Sequence, residues 1–157
     1  MIDFAAASTH LLFASIWVGG VFFMAFAVVP AARDGRLDAR LLSVFLDRFG
    51  KVSLVSAVVL FVTGGHMAGT RYSVESLTTS LPGYLVLVML VLWAVLLGLL
   101  QYGGYRLDRD VERGRVREPA SSALVWYRLA VGVSVVLLVV AAALSNPAEL
   151  ETVLQHL

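Results

Sequence analysis

Four long apolar stretches, at about 4–29, 52–70, 83–103 and 122–144, constrain this chain more than any other feature. Each is close to the ~20 residues that a helix needs to cross the hydrocarbon core of a bilayer. A soluble core does not need four such runs in 157 residues. Charged residues make up 15% of the chain, against about 25% in soluble domains. The predicted fold is all-α: an integral-membrane four-helix bundle, a single membrane domain over 1–157, with little mass outside the lipid. The first stretch does not read as a secretory signal, because its flank, Met1-Ile2-Asp3, is acidic and its apolar run is too long.

Charge placement predicts the orientation. Eleven of the twelve Lys and Arg fall in two segments. Segment 30–51 holds Arg33, Arg36, Arg40, Arg48 and Lys51, and segment 104–128 holds Arg106, Arg109, Arg113, Arg115, Arg117 and Arg128. Arg71 alone lies between the second and third spans, and neither terminal flank carries a Lys or Arg. The positive-inside rule then places the first and third connections in the cytoplasm and both termini outside.

Helix ends are partly legible. Pro30 falls where the first span is expected to stop. The second helix is expected to begin near Asp38, before the membrane, because Leu41, Leu42, Phe45, Leu46 and Phe49 recur at helical spacing. Ser80 can cap the third helix with Pro82 in its first turn, and Pro119 and Ser121 mark the approach to the fourth. Asn146, Pro147 and Glu149 resemble a capping box, and Leu150, Val153, Leu154 and Leu157 then share a face. A short amphipathic surface helix is expected over about 147–157.

Polar groups inside a membrane are costly, so they mark candidate sites. His10 lies about six residues, roughly 9 Å, inside the outer end of span one. His66 lies about four residues, roughly 6 Å, inside the outer end of span two. The third histidine, His156, falls in the expected surface helix. Small residues surround both intramembrane rings: Ala6, Ala7 and Ala14 beside His10, and Thr63, Gly65, Gly69 and Thr70 beside His66. They leave space for a flat ligand, with Phe13, Trp17 and Met24 further along as apolar walls. Histidine is an axial ligand for haem iron. The expected site is therefore a haem b held by His10 and His66, on spans that splay apart or sit diagonally, since packed helices lie only ~8–10 Å apart. The alternative is that small residues only let helices approach and the histidines only pack.

Other signals are weaker. Met24, Met67 and Met89 are soft donors suited to Cu(I). Gly19-Gly20, Gly64-Gly65 and Gly103-Gly104 read as close-packing points, and Gln101, Tyr102, Tyr105, Trp126 and Tyr127 as an interfacial aromatic belt. The chain has no cysteine, which excludes thiolate metal sites and iron–sulfur clusters. It has no Ser–His–Asp set or phosphate-binding glycine loop, and its net charge of +1 gives no reason to expect nucleic acid as a partner.

The stretch "HLLFASIWVGGVFF" resembles the first helix of copper-resistance-D-like membrane domains, with a histidine, a Trp seven residues on, then Gly-Gly and aromatics. "VVPAAR" and "LLSVFLDRFGKVSLVSAVVLFVTGG" continue that likeness through about the first 70 residues. HemJ-type protoporphyrinogen oxidases begin similarly. The resemblance implies a small helical bundle, makes His10 the first-helix motif histidine, and makes Trp17, Gly19 and Gly20 its companions. In the HemJ-like group that histidine is associated with haem. The sequence has "FAVVPAARDGR" where those oxidases carry a basic-aromatic-histidine stretch.

Three functions are expected in order. The first is a membrane haem-b protein with His10 and His66 as ligands, for electron transfer, haem handling or oxidoreductase chemistry. Beyond the lipid bilayer, its partners would be a quinone, a porphyrin, a redox protein or a second copy of the chain. The second is a copper-binding or copper-transport protein using His10, His66 and Met67. The third is a cofactor-free accessory subunit.

Overall fold

The computed structural model describes residues 1–111, 113 and 115–146. They are helical throughout, apart from short connections. A first long helix joins α1 (Ile2–Phe23), a π-helical turn (Met24–Val28) and α2 (Val29–Arg33). Then come α3 (Ala39–Arg71), the short α4 (Val74–Thr79), α5 (Leu81–Val111) and α6 (Arg117–Ser145). Four helices, Ile2–Arg33, Ala39–Arg71, Leu81–Val111 and Arg117–Ser145, are long and apolar enough to cross a membrane. Their outward faces carry side chains such as Leu11, Leu12, Val62, Val91 and Val139, all largely exposed. That much apolar surface fits lipid, not water.

Local chemistry sets the helix ends. The Asp38 carboxylate accepts from the Leu41 N–H at 2.7 Å, so α3 starts where its amphipathic spacing begins. The Ser80 hydroxyl accepts from the Gly83 N–H at 3.2 Å, with Pro82 in the first turn of α5. The apolar pattern gives no sign of α4, whose first turn is capped by Ser73 accepting from Ser76 N–H at 3.1 Å.

Pro30 does not end the first helix. A proline in a helix interior removes one N–H and crowds the carbonyl four residues back. Here the π turn widens the helix just before it, with Val29 N–H bonded to Met24 C=O, and the chain stays helical to Arg33. Wide turns of this kind absorb such local misfits. The turn then closes through Gly35 at φ 74°, a conformation that disfavours any side chain, with the Arg117 guanidinium packed against it. Asn146, expected to open a surface helix, stands at the end of α6 with its N–H on Ala143 C=O. The expected helix over 147–157, and His156 with it, lies outside the described residues.

The helices pack in a ring: α1 against α3, α3 against α5, α5 against α6, and α6 back against α1, the π turn and α2. The expected splaying or diagonal placement of the first two spans is not found; they are direct neighbours. The core is concentrated at one end. Among the described residues, buried hydrophobic side chains fall within 17–32, 42–60, 96–111 and 120–130, and include Trp17, Met24, Leu42, Leu96, Leu107 and Tyr127. This is the basic end, where 34–38 and 112–116 connect helices. The opposite end, which carries His10 and His66, has no comparable core among the described residues.

Candidate functional site

At the histidine end, α1 and α3 meet through polar contacts. The His10 Nδ1 lies 2.8 Å from the Thr63 hydroxyl oxygen. That hydroxyl donates its only proton to Val59 C=O at 2.7 Å, closing one of the i−4 bonds that Thr makes readily in apolar helices. Thr63 Oγ1 must therefore accept from the ring, so the network assigns the proton to Nδ1 and leaves a lone pair on Nε2. An imidazole held this way through one nitrogen is prepared to ligate through the other.

Gly64 completes the seat. A Cβ placed there would lie 3.1 Å from His10 Cε1, so the imidazole packs against α3 where only a hydrogen fits. The small residues beside His10 thus bring two helices together around the ring itself. With the two spans in direct contact there, Gly64 serves the close approach of α1 and α3 and not a gap between them.

His66 is two to three residues further along α3 than the Thr63–Gly64 seat, about 3–4.5 Å of axial rise. Its Nε2 lies 3.2 Å from the Asp3 carboxylate, and both side chains are exposed. The pair ties the start of α1 back to the end of α3. At this exposure it adds little stability, so its interest is chemical. The two histidines share one interface and one end of the bundle.

The remaining expected residues divide. Ala6 and Ala7 are half-buried on α1, and Phe13 and Ala14 pack onto the core below His10. Trp17 does not wall an open pocket: it is fully buried and its indole N–H donates to the Ser53 hydroxyl at 2.7 Å. Gly69 is exposed, with open space where a side chain would go, and no contact draws it to the histidines. Met24 is core, while Met67 and Met89 are half-buried.

Sequence reasoning treated Asp3 only as an acidic flank, and it missed the polar line on α3. Asp47, Gly50, Ser53 and Ser56 recur every third residue, a spacing that puts them along one ridge. At the basic end this ridge borders a cleft of about 270 Å³ between α3, α5 and α6, whose polar lining includes Asp47, Ser53, Gln101, Tyr105 and Asp108. The Tyr127 ring forms part of its wall and stacks at a tilt on Phe49, centroids 6.3 Å apart. What was read as an ordinary aromatic belt is, in part, the wall of this cleft.

Among the described residues no group of three or more His, Asp or Glu side chains is gathered to hold a metal ion. The chain matches the family described as CopD, copper resistance protein D, over residues 43–145. The match takes in α4, α5, α6 and all but the first turn of α3, so it includes His66, Thr63 and Ser53 and leaves out His10. No curated protein and no solved structure matches the chain.

Proposed function

Because the chain belongs to the copper resistance protein D family, we propose that it handles copper in the membrane, with His10 and His66 as donors at the histidine end. The observation that carries this is the His10–Thr63–Val59 relay, which leaves one imidazole lone pair unused beside a second histidine. Imidazole suits copper, and Met67, one position along α3 but turned about 100° from His66, is a soft donor near the same end of the helix. Two or three donors without a closed cage suit an ion that is passed on more than one that is kept. The split of eleven Lys and Arg against one supports an orientation with the histidine end and both termini outside and the basic connections in the cytoplasm. The family description favours copper over haem as the ligand.

The test is metal content of the purified protein equilibrated with Cu(I) under reductant, in parallel with the absorption spectrum after incubation with haemin. We expect about one copper per chain, no Soret band, and at least tenfold weaker copper binding in His10→Ala and in His66→Ala. Copper retention by the double variant would overturn the assignment. A Soret band lost in both single variants would turn it into the haem reading.

A further inference from the structure

Ser56 is fully buried, and its hydroxyl oxygen has no hydrogen-bond partner. A serine in an apolar helix ordinarily satisfies itself on the carbonyl four residues back, as Ser134 does on Ala130 at 2.8 Å. A buried polar atom left unpaired carries a desolvation cost and calls for a water or a passing ligand. Ser56 sits one turn from Ser53, and Ser53 lines the inner end of the cleft at the basic end. Seven residues further along α3, about 10 Å of rise, is Thr63 with His10. Between them stands Leu60, which is buried.

We propose that the cleft bounded by Asp47, Gln101, Tyr105 and Asp108 is the mouth of a hydrated route along α3 that reaches Ser56, and that Trp17 is its closed gate. The indole N–H of Trp17 engages the Ser53 hydroxyl, which lines the cleft and stands one turn from Ser56 on the ridge. While that bond holds, water in the cleft stops at Ser53 and Ser56 stays dry. When it breaks, Ser53 can turn to water and Ser56 gains the partner it lacks. At the mouth Asp47 is paired with Lys51 at 2.8 Å, so the lining offers polar groups to water and does not by itself select the charge of what enters. On the copper reading, on which the identity of the cargo rests, it is the part of a path that leads from the basic end toward the histidines, closed beyond Ser56 by the buried Leu60.

The chain has no cysteine, so single cysteines can report on the route without any background. The experiment measures the labelling rate of Ser53→Cys, Ser56→Cys and the lipid-facing control Val91→Cys in vesicles, with a small cationic methanethiosulfonate reagent. Ser53→Cys is expected to react and Val91→Cys not. Ser56→Cys is expected to react slowly with Trp17 intact and roughly two- to tenfold faster with Trp17→Phe, the range that one hydrogen bond supports. Ser53→Ala combined with Ser56→Cys removes the same bond from its other side and gives the same acceleration if Trp17→Phe fails to fold. An unreactive Ser56→Cys in both backgrounds, or an unreactive Ser53→Cys, overturns the route. Accelerated Ser56→Cys labelling in a protein whose copper binding ignores His10 and His66 keeps the route and removes only the copper cargo.

Discussion

At the scale of single residues, the chemistry turns on a donated proton. Thr63 spends its hydrogen on its own helix, and so it fixes which nitrogen of His10 is free. Thr63→Val keeps the shape and removes the acceptor. It should weaken copper binding by about 10- to 100-fold, the usual cost of losing a ligand's supporting hydrogen bond, as read by competition against a Cu(I) chelator. Gly64→Val tests the same seat sterically. With a Cβ already 3.1 Å from His10 Cε1, the added methyl groups must move the ring or part the helices. The expected cost is about 1–3 kcal/mol, the range for overpacking, measured as loss of resistance to denaturation in detergent. His66, exposed and opposite Asp3, has no such tight seat, and Asp3→Asn should leave thermal stability nearly unchanged.

At the scale of elements, two junctions position the helices. The α1–α3 connection turns through Gly35 at φ 74°, with Arg117 of α6 folded over it. Gly35→Ala therefore strains the backbone and displaces the guanidinium together. A destabilisation of at least about 1 kcal/mol follows from the backbone alone, checked by the unfolding midpoint against Gly50→Ala, where nothing crowds the added carbon. At the other end, Gly83 lies directly on the backbone of Ser76 and Leu77, which locks α4 across the start of α5. The π turn belongs to the same scale. It lets an apolar helix pass Pro30 without breaking, and places Met24, Ala25 and Val28 in the core.

Taken as a whole, the molecule is packed unevenly. Among the described residues the buried hydrophobic side chains gather at the basic end, and at the end with the histidines α1 and α3 meet through polar contacts while α4 packs across the start of α5. Sites that must bind and release a ligand are drawn from the less stable parts of a fold. Hydrogen exchange should therefore show early opening at the ends of α1 and α3 near His10 and His66, and late opening around Trp17, Leu46 and Leu107. Topology is a property of the same scale. Impermeant labelling of a cysteine at Arg36, in the basic connection, and of one at Tyr72, in the other, should occur from opposite sides, with Tyr72→Cys reached from outside. Labelling from the reverse sides would overturn the orientation.

The all-helical fold, its four long apolar helices, the start of α3 near Asp38 and the Ser80 cap were determined by sequence alone, because the length of an apolar run, helical spacing and local capping chemistry suffice. His10, His66 and Thr63 stand out in the sequence by identity, as polar groups in apolar runs, but Thr63 was expected beside His66 and the structure puts it on His10. Tertiary structure decided which way those runs are turned. Uniformly apolar helices carry almost no rotational signal, so only packing could show that Gly64 seats His10, that Trp17 serves Ser53, and that a tyrosine of the apparent interfacial belt walls a cleft. It also decided the fate of Pro30, since the sequence shows a residue that disturbs a helix and only the structure shows the wide turn at Met24–Val28 that accommodates it.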